Sequence, residues 1–593
     1  MQTTDLGRLG RTVIQLRPAQ IGQRARLRGQ RMALDHSLPL ARRWLLAGPE
    51  PAPGAGWPAG FTPLDACLWR GEPGGMALRA GELRLIGVAR SVAAAGQGGA
   101  ADWATADWEA ASAPLLWRFH LHYWDWAWAL AAERPGAAAD ARPGADARPG
   151  ADARAVFSAI WGSWRAAVAP GRGVAWRPYP AALRAWSFCG IYRHLVQGGA
   201  VEARFLGELA AHAGFLRRNL ETDVGGNHLI KNLKALAGLA VFFGDDALLA
   251  RTLGRLRGQL AAQVLPDGGH YERAPAYHCQ VLGDLLDIGG LLRAAGHDDP
   301  VGLPEAIAAM RGWLGVVLTP PGEVPMLNDG FPVSPGLLAA LAPAAPPSGP
   351  LQVLPDTGLA RVTVGGWHVL ADVGLPCPRS LPAHAHADTL GCLVHVDGEP
   401  LLIDTGASTY APGAARDRER STAAHNTLEV DRRDSTEVWG AFRAGRRARV
   451  HGVYARVDSG TVTVAAAHDG YRTLRGRPTH HRRWSVRAQE LRVDDTVTGR
   501  GRHHVVLRWH LAPGSQLRLI PGGAVVSAKA GQFTVTVTAT AAREPALTAA
   551  VAEVSAGFGR TVAAPVLACA LRPELPVRIS TVWRRDEPRR EPT

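Results

Sequence analysis

The period of the hydrophobic pattern changes once along the chain. From Trp103 to about Leu341, apolar residues recur three and four positions apart, as in HLIKNLKALAGLAVFF at 228–243, and this spacing predicts helices. After the Pro- and Ala-rich stretch 342–350, runs such as FTVTVTATA alternate apolar and polar residues, which predicts antiparallel strands to the end of the chain. The pattern therefore predicts a helical part followed by a β part.

The length of the chain supports a division into domains, because 593 residues exceed what one hydrophobic core organises. We predict a helical domain at 101–345 and a β domain at 352–593. Residues 1–100 hold short apolar pieces between Gly and Pro and are assigned to the helical domain without any chemistry. Residues 132–154 contain near repeats of Ala-Arg-Pro-Gly-Ala-Asp, whose Pro-Gly steps and charges oppose burial, so we expect a mobile surface insertion there.

The charge balance favours a polyanionic partner. The chain has 66 Lys and Arg against 52 Asp and Glu, a net charge of +14, which suits an acidic polysaccharide or a nucleic acid. The biased Arg-, Ala-, Gly- and Pro-rich composition would give the same sign. No basic recognition helix or motif is present, so nucleic-acid binding is not expected. The six scattered cysteines form no CxxC pair, which argues against a cysteine metal site and a disulfide framework.

The N-terminus shows no targeting segment. Residues 1–31 carry arginines at short intervals and no apolar core of the length that a signal peptide needs. No apolar run approaches the roughly 18 to 20 residues that span a bilayer, so membrane insertion is not expected. As sequenced, the protein is expected in the cytoplasm, and a start codon further upstream would instead allow a periplasmic or secreted protein.

A set of polar donors brackets one predicted β-hairpin. The apolar runs LGCLVHV and PLLI flank an Asp-Gly pair, a strong two-residue hairpin signal. Folding back at this turn brings Asp404, after the second strand, beside His386, just before the first. With His425 they form a His/Asp/His set that suits zinc, and His384 lies beside it on the same face of an extended segment. On spacing alone, these histidines are equally consistent with satisfied core residues.

Two helix starts carry polar residues that suit chemistry. In DVGGNHLIKNL, Asn227 is predicted to cap the helix 228–243, and His228 follows it. Unpaired N–H groups and the positive end of the helix dipole favour a carboxylate there, although a capping asparagine without further function is the alternative. In LPDGGHYERAPAYH, Tyr271 lies in a loop and Tyr277 starts the next helix. A loop tyrosine by itself is usually only amphipathic surface.

Two aromatic clusters precede these motifs. The first, LLWRFHLHYWDWAWAL at 115–130, holds four tryptophans and Tyr123. The second surrounds Tyr179 with four more tryptophans: Trp161, Trp164, Trp176 and Trp186. Aromatic faces stack on sugar rings, but tryptophans at helical spacing also build cores. The pattern therefore leaves core and cleft open for both clusters.

These segments resemble the heparinase II/III-like family of polysaccharide lyases. The likeness is strongest in HAHADTLGCLVHVDGEPLLIDTG followed by RSTAAHNTLEVD, and DGGHYERAPAYH is similar to the family segment that carries a catalytic tyrosine. LLWRFHLHYWD, WRPYPAALRAW, HDGYRTLRGRPTHHRRWSV and HHVVLRWHLAPGSQ also resemble family segments, so the likeness covers roughly 103–513. It implies an α/α toroid, an incomplete barrel of helices, joined to an antiparallel β-sandwich with the active cleft between them.

The resemblance implies β-elimination at a 4-linked uronic acid of an acidic polysaccharide or oligosaccharide. Asn227, together with His228, would neutralise the uronate carboxylate. Tyr277 and His384 would accept and donate the protons, and either assignment of base and acid stays open. A tyrosine with an ordinary pKa near 10 is a poor base at neutral pH, so positive charge would have to lower its pKa.

The substrate-binding residues are expected around these groups. The likeness places Tyr123 and Tyr179 in the cleft. Arg273 is close enough in sequence to supply positive charge near the catalytic tyrosine, and Tyr271 lies in the same loop. We therefore expect all four side chains to contact the substrate.

The resemblance also implies a metal set of His386, Asp404 and His425. Because all three come from one domain, we expect a structural Zn²⁺ that locks the loop bearing His384. A catalytic metal stays open, since three protein ligands leave one position free, and this gives a zinc-dependent glycan hydrolase as one alternative. The other is a non-catalytic or biosynthesis-associated exopolysaccharide-binding protein on the same fold, which the missing signal peptide favours.

Overall fold

The computed structural model describes residues 3–36, 38–50, 54–68, 74–96, 100–132, 149–540 and 545–586. Helices dominate these ranges up to residue 341, and antiparallel strands dominate from residue 351 onward. The change of period in the sequence therefore marks the change of architecture. The expected fold class, a helical domain followed by an antiparallel β domain, is confirmed.

Within the described residues, fifteen α-helices, short 3₁₀ and π segments and two small hairpins form the first part of the chain. The helices are α1 (Thr3–Val13), α2 (Pro18–Asp35), α3 (Pro39–Leu46), α4 (Leu64–Leu68), α5 (Gly75–Arg79), α6 (Leu115–Leu121), α7 (Trp128–Ala131), α8 (Pro149–Ala167), α9 (Pro178–Ile191), α10 (Glu202–Arg218), α11 (Gly226–Phe243), α12 (Asp246–Gln263), α13 (Pro275–Ala294), α14 (Leu303–Val317) and α15 (Pro335–Leu341). The hairpins pair β1 (Glu82–Leu85) with β2 (Val88–Ser91) and β3 (Ala94–Ala95) with β4 (Ala101–Asp102).

Helix α11 packs against α9, α10, α12 and α13 at the centre of the helical domain. Its leucines at helical spacing are buried, as the pattern predicts. The helix begins at Gly226, and its N-cap is Gly225 with a φ of 74°. A positive φ of this kind favours glycine, which lacks a Cβ. The prediction that Asn227 caps the helix is therefore wrong, since Asn227 is the second residue of the helix.

The tryptophans of both aromatic clusters form the core of the helical domain. All eight are at most 5% exposed. Trp124 lies at their centre, with ring centroids 4.6 Å from Trp126 and 5.7 Å from Trp164. Stacked and edge-to-face pairs at these separations are favourable beyond their burial. The tryptophans therefore belong to the core, which was one of the two alternatives. Tyr123 and Tyr179 have a different position, which is described with the cavity below.

The predicted insertion is only partly described by the structure. Residues 133–148 lie outside the described residues. Helix α8 begins at Pro149, inside the range 132–154 that was expected to be mobile, because proline is favourable at the first position of a helix. None of the helices in the described ranges is both long and apolar enough to cross a membrane.

The N-terminal segment contacts both domains. Leu34 of α2 and Leu45 of α3 belong to the helical core. Arg11 of α1 donates a hydrogen bond from Nε to Glu437 of the β domain over 2.8 Å. The first three helices therefore connect the helical domain to the β domain on one side of the molecule.

Nineteen strands, one α-helix and a short 3₁₀ turn form the β domain within the described residues. They are β5 (Leu351–Leu354), β6 (Leu359–Val364), β7 (Trp367–Asp372), β8 (Cys392–Val396), β9 (Glu399–Leu402), α16 (Ala414–Arg420), β10 (Leu428–Val430), β11 (Val438–Trp439), β12 (Arg443–Ala444), β13 (Val450–Asp458), β14 (Thr461–His468), β15 (Thr479–Arg487), β16 (Glu490–Thr498), β17 (Val505–His510), β18 (Gln516–Ile520), β19 (Gly523–Ala528), β20 (Gly531–Ala539), β21 (Ala546–Ser555), β22 (Thr561–Leu571) and β23 (Val577–Arg585).

The strands form three principal antiparallel sheets. Their orders are β5-β6-β7-β8-β9, β13-β14-β15-β16-β23-β20-β19-β18 and β10-β17-β22-β21, and β11 pairs with β12. One hydrophobic core joins them and includes Trp367, Trp484, Trp509 and Trp583. Sheets packed face to face around such a core form a sandwich.

The five-stranded sheet β5–β9 is buried on both faces. Leu359 and Leu370 belong to the helical core, whereas Val362 and Val369 belong to the core of the β domain. Because side chains alternate across a strand, one sheet serves both cores. This shared layer fixes the loops before β8 and after β9 against the helical domain.

The hairpin that the sequence predicts between the two histidine motifs is present. Strands β8 and β9 pair on either side of Asp397 and Gly398. Both turn residues have positive φ, 48° and 88°, as a two-residue hairpin of the favoured type requires. The prediction of this hairpin is confirmed.

Candidate active site

A cavity of about 630 Å³ lies between the helical and β domains. Its helical wall comes mainly from α9, α11 and α13, and the opposite wall comes from loops that precede β8, follow β9 and connect β21 to β22. Six of the predicted site residues line it: Tyr123, Tyr179, Asn227, His228, Tyr277 and His384. The cavity is therefore located where the cleft was expected.

His384 lies in this cavity between two buried carboxylates. Its Nε2 is 2.9 Å from Glu272 Oε2, and its Nδ1 is 3.0 Å from Asp329 Oδ2. Burial alone would lower the pKa of His384, but the negative charges of Glu272 and Asp329 raise it to about 9. The reverse holds for the carboxyl of Glu272, where burial raises the pKa, but the charge and hydrogen bond of His384, with smaller contributions from His270 and the Asn227 N–H, together lower it to about 2. The imidazole is a cation that donates both N–H groups, so it has no free nitrogen to act as a base.

Tyr277 stacks on this cation and contacts a second tyrosine. The ring centroids of Tyr277 and His384 are 3.8 Å apart with an angle of 29° between the planes. The hydroxyl oxygens of Tyr277 and Tyr410 are 2.9 Å apart. Burial raises the pKa of Tyr277 well above its usual value, and the neighbouring Tyr410 and Asp329 raise it further. The guanidinium of Arg416 lies 5.0 Å from the centroid of the Tyr410 ring.

Asn227 binds a carboxylate, and that carboxylate belongs to the protein. Its backbone N–H donates to Glu272 Oε1 over 2.7 Å, and its side-chain amide donates to both oxygens of Glu272 over 3.1 and 3.2 Å. Glu272 therefore links the N-terminus of α11 to His384. The position at which a substrate carboxylate was expected holds a glutamate of the chain itself.

His228 forms an aromatic wall with two tyrosines. Its ring centroid is 4.3 Å from that of Tyr179, and the Tyr179 ring is 6.0 Å from that of Tyr123. The Nδ1 of His228 is 3.1 Å from Glu221 Oε1, and its Nε2 has no hydrogen-bond partner among the described residues. Aromatic faces arranged in this way suit contact with a sugar ring.

Two predicted substrate-binding residues do not line the cavity. The hydroxyl of Tyr271 accepts a hydrogen bond from the N–H of Gly226 over 2.9 Å and so supports the start of α11. Arg273 donates to the carbonyl oxygen of Thr357 over 2.6 Å, in the turn between β5 and β6. Arg273 also has a φ of 60°, and its guanidinium is held at the domain contact. These positions correct the expectation that both residues lie in the cleft.

The three predicted metal ligands are buried together. The ring centroids of His386 and His425 are 5.3 Å apart. The Nδ1 of His425 is 2.8 Å from Asp404 Oδ2, and the Nε2 of His386 is 2.9 Å from Asp329 Oδ1. Each histidine keeps one buried ring nitrogen without a hydrogen-bond partner in the described part of the chain: His386 Nδ1 and His425 Nε2.

These side chains fit a metal ion in part. A buried ring nitrogen without a partner is costly, and imidazole nitrogen is a usual ligand of zinc. The carboxylate of Asp404 is engaged with the other nitrogen of His425, the arrangement of a group that orients a ligand. Across the ranges that the structure describes, no three His, Cys, Asp or Glu side chains converge on a point that could hold a metal ion. The zinc site therefore stays a prediction, supported by the two histidines.

The sequence analysis missed four residues of the site: Glu272, Asp329, Tyr410 and Arg416. Arg416 donates to both oxygens of Asp329 over 2.5 and 2.8 Å, and this buried pair supports the two histidines on Asp329. The signals available for Glu272 and Asp329 were an acid beside Tyr271 in YERAP and an acid in the segment PMLNDG. No local signal marks Arg416, because AARDRER has the composition of an exposed helix.

Family models match most of the helical and β domains. Residues 156–342 match the model described as Heparinase II/III N-terminus, and residues 346–574 match the model described as Heparinase II/III-like, C-terminal. The two matches are nearly contiguous and contain all the predicted site residues except Tyr123.

Individual proteins are similar over different lengths. FtsZ-localized protein C of Caulobacter vibrioides (strain NA1000 / CB15N) is 30% identical over 298 residues, which cover 46% of this chain and 51% of that protein. The match thus spans about half the length of this curated relative. The solved structure of Heparinase III has a TM-score of 0.70 at 15% identity and covers 88% of this chain and 85% of that chain. A mutant of heparan sulfate lyase HepC from Pedobacter heparinus has a TM-score of 0.61 at 15% identity, with 89% and 84% covered. At these identities the structural likeness shows the fold.

Proposed function

We propose that this chain, which belongs to the heparinase II/III-like family, cleaves an acidic polysaccharide by β-elimination in the cavity between its two domains. The observation that carries the proposal is the pair of hydroxyls of Tyr277 and Tyr410, 2.9 Å apart, beside the cation of His384. The reaction needs one proton acceptor and one proton donor close to the same sugar. Two hydroxyls that share a hydrogen bond next to fixed positive charge can supply both.

The proton and electron balance of the reaction fits a tyrosine pair. The proton leaves C5 of the uronic acid, the electron pair of that bond becomes the double bond between C4 and C5, and the bond from C4 to the glycosidic oxygen breaks. One tyrosine, as the phenolate, accepts the C5 proton, and the other donates a proton to the leaving oxygen. Transfer of a proton across the hydrogen bond between Tyr277 and Tyr410 then restores the starting state.

A phenolate in this cavity depends on positive charge, because burial raises the pKa of Tyr277. The His384 cation lies against the Tyr277 ring at 3.8 Å, and the Arg416 guanidinium lies 5.0 Å from the Tyr410 ring. Opposite charge at short range favours an ionised group. In this proposal His384 stabilises the phenolate and holds Tyr277 in place, a role different from the acid or base that was expected.

The substrate carboxylate has to be neutralised before the C5 proton is acidic enough to remove. Asn227 gives its donors to Glu272, so we assign this task to His228. The Nε2 of His228 has no hydrogen-bond partner among the described residues, and its ring stacks on Tyr179 within the cavity wall. His228 would donate from Nε2 to the carboxylate, with Nδ1 kept on Glu221.

The test is a screen of uronic-acid polymers with heparan-like, alginate-like, hyaluronan-like and exopolysaccharide backbones. β-Elimination creates a double bond conjugated to the carboxylate, so ultraviolet absorbance should rise with at least one polymer and should not rise with the Tyr277→Phe variant. Release of reducing ends without new absorbance would instead identify a hydrolase. A complete absence of new absorbance with polymers that bind would exclude the lyase.

We retain a zinc ion as a structural proposal. His386 Nδ1 and His425 Nε2 would bind it, since these buried atoms have no other partner among the described residues, and Asp404 would either orient His425 or turn to complete the set. When bound, the ion would tie the loop before β8 to the segment after α16. The proton transfers are accounted for by this chain's own pair of tyrosines, and the neutralisation of the substrate carboxylate by His228.

A second candidate function is glycan binding without turnover. It is favoured by the occupation of the α11 N-terminus by Glu272, which leaves Asn227 no free donor for a substrate carboxylate. The curated relative is named for its localisation with FtsZ, which would suit a role in assembly. A protein of this kind would retain acidic oligosaccharides in calorimetry and give neither ultraviolet absorbance nor reducing ends.

A further inference from the structure

A second pocket, separate from the cavity between the domains, lies in the helical domain. It has a volume of about 560 Å³ and is formed by α2, the C-terminal end of α10, the face of α11 that carries Leu229 and Leu233, and α12. Among the lining residues in the described ranges, none is shared with the larger cavity. A pocket of this volume accommodates a small molecule, and the reaction proposed above does not use it.

Four arginine side chains line this pocket: Arg26, Arg217, Arg218 and Arg255. No aspartate or glutamate accompanies them in the described part of the lining, and none of the four forms an ion pair within the described structure. Arg24, a neighbour on α2 outside the pocket, is by contrast paired with Asp223 over 3.3 Å. Positive charge therefore converges on the pocket without compensation from the protein, which favours an anionic ligand.

Three of the guanidinium groups are held in place by neutral acceptors. Arg217 Nη2 donates to the carbonyl oxygen of Ala47 over 2.7 Å. Arg218 Nη1 donates to the carbonyl oxygens of Ala47 and Gly214, both over 3.0 Å, and Arg26 Nη1 donates to the carbonyl oxygen of Arg218 over 3.1 Å. A guanidinium has five N–H donors, so these contacts orient the groups and leave other donors available.

Two further side chains of the lining have unused hydrogen-bonding groups. Arg255 on α12 is exposed, and it has no hydrogen-bond or ion-pair partner among the described residues. The hydroxyl oxygen of Thr222, in the loop before α11, is buried and also lacks a partner in the described structure. A buried polar atom without a partner is costly, and a ligand with oxygen acceptors would supply one to both side chains.

Two glycines inside α12 leave the pocket open. Gly254 and Gly258 lie one helical turn apart, and both line the pocket. Apart from proline, glycine is the least favourable residue in a helix interior. A Cβ at either position would meet no atom within 4 Å, so the packing of the protein does not require glycine there. Space for a ligand accounts for both glycines.

We infer that this pocket binds a small molecule that bears at least two phosphate groups. The four guanidinium groups bind its phosphate oxygens, and its organic part contacts Leu229 and Leu233. A phosphate group carries about −1.5 to −2 charges near neutral pH, so two of them balance the four arginines, whereas two carboxylates would balance only half. The planar guanidinium also matches phosphate by donating two hydrogen bonds at once.

The first experiment titrates the wild-type protein by calorimetry at constant ionic strength. Pyrophosphate and ADP are compared with inorganic phosphate, with a short glutamate peptide and with a uronate oligosaccharide. We expect pyrophosphate and ADP to bind about tenfold or more tightly than inorganic phosphate, because the second phosphate adds hydrogen bonds between charged groups. No binding of pyrophosphate and ADP, or equal affinity for inorganic phosphate, would overturn the inference. Tighter binding of the peptide or of the oligosaccharide in a manner that Arg255→Glu abolishes would also overturn it.

A matched pair of arginine variants locates the binding in the pocket. Arg255→Glu should weaken ADP binding about tenfold or more, because it replaces an attraction with a repulsion. Arg257→Glu makes the same change on α12 at an exposed position that does not line the pocket, and it should leave ADP binding unchanged. Neither arginine has a partner in the described structure, so both variants should fold. An equal loss in the two variants would show general attraction by basic charge and contradict the pocket.

A second pair of variants fills the pocket without disturbing the fold. Gly258→Leu should raise the melting temperature of the ligand-free protein, since leucine favours helix over glycine, and it should abolish ADP binding. Gly207→Leu is the control, because Gly207 lies inside α10 away from the pocket and also has no atom within 4 Å of a Cβ. It should bind ADP as the wild type does. Retained binding in a folded Gly258→Leu protein would contradict the inference.

The inference does not depend on the lyase reaction. Tyr277→Phe, which changes only the cavity between the domains, should bind ADP with wild-type affinity. Loss of ADP binding in that variant would place the ligand in the cavity and overturn the separate pocket.

Discussion

The site has two histidine clusters: His384 with its two carboxylates, and His386 with His425. They differ in whether every ring nitrogen has a hydrogen-bond partner. His384 donates both N–H groups to carboxylates, one from each side. His386 and His425 each bind one carboxylate and keep one buried nitrogen without a partner in the described structure. Asp329 connects the clusters, because one of its oxygens accepts from His384 and the other from His386. In the first cluster every ring nitrogen has a partner within the protein. In the second, two ring nitrogens without a partner in the described structure could bind a metal ion.

This difference separates a fixed charge from a binding site. A cation with both N–H groups engaged cannot exchange protons without breaking a buried ion pair, so its contribution is its position and its field. A buried ring nitrogen without a hydrogen-bond partner costs free energy, so binding a ligand at that nitrogen is favourable. His384 and His386 are two residues apart in the sequence, yet their carboxylate neighbours give them different functions. His384 supplies a fixed positive charge, and His386 is a candidate metal ligand.

The largest effect is expected from a change that leaves both clusters intact. Tyr277→Phe removes the hydroxyl that meets Tyr410 and should reduce turnover by about 100- to 10,000-fold, the usual contribution of a general acid or base. The Tyr277 ring still stacks on His384, so substrate binding and melting temperature should change little. Kinetics by ultraviolet absorbance check the loss, and Tyr271→Phe, the same substitution outside the cavity, is the control that should stay active. Wild-type rates in Tyr277→Phe would remove this residue from the chemistry.

Breaking the complete cluster should affect both activity and stability. His384→Ala leaves the buried carboxylate of Glu272 without its counter-charge, and removal of one partner of a buried pair costs about 3–5 kcal/mol. Turnover should fall by about 100-fold or more, because the tyrosine pair loses its nearest cation. Urea unfolding and kinetics measure the two losses. Metal content, if wild type holds a metal, should be unchanged, and loss of metal in this variant would contradict the separation of the clusters.

Breaking the incomplete cluster should change metal content first. His386→Ala and His425→Ala should each lose bound zinc and several degrees of melting temperature, because the metal stabilises only the folded state. Asp404→Ala should behave in the same way if Asp404 is a ligand, and should retain weaker binding if it only orients His425. Elemental analysis of the purified proteins decides between these outcomes. Wild-type protein that is stable and active without metal would rule out the site.

The smallest effect is expected at the residue that supports the complete cluster from the helix. Asn227→Ala removes the two side-chain hydrogen bonds to Glu272, while the backbone N–H keeps its own, so we expect a cost of about 1–2 kcal/mol. Turnover should fall less than in His384→Ala, since the imidazole keeps both carboxylates. Asn227→Asp, which places a second negative charge against Glu272, should be the more damaging of the two. A loss of activity in Asn227→Ala as large as in Tyr277→Phe would return Asn227 to direct contact with the substrate.

The fold could be predicted from the sequence because its signals are local. The change of hydrophobic period separates the helical domain from the β domain, and the Asp-Gly pair at 397–398 specifies its hairpin. The tryptophan clusters were ambiguous, since helical spacing fits a core and a cleft equally. The start of α11 was missed by two residues, because the Gly-Gly step before Asn227 supplies the positive φ that ends the preceding turn.

The site was only partly predictable, because its chemistry depends on partners distant in the chain. His384 was found through its motif, but its charge comes from Glu272 and Asp329, which lie 112 and 55 residues before it in the sequence. The hydrogen bond between Tyr277 and Tyr410 joins the two domains. Because these residues are far apart in the sequence, no local pattern predicts the contact. The closeness of Arg273 to Tyr277 in the sequence predicts a position in the cleft. In the structure Arg273 has a positive φ of 60°, and its side chain instead contacts Thr357 in the turn between β5 and β6. Sequence spacing therefore identified residue types and could not identify their counter-charges.

The five-stranded sheet that is buried on both faces has a consequence for how the molecule comes apart. Loss of the helical core would expose Leu359 and Leu370 to water, and the same strands carry Val362 and Val369 of the other core. Neither domain can therefore melt without damaging the packing of its neighbour, and heating should give one cooperative transition in place of two. Because the two domains share this layer, we expect the width of the cavity to be set largely when the chain folds.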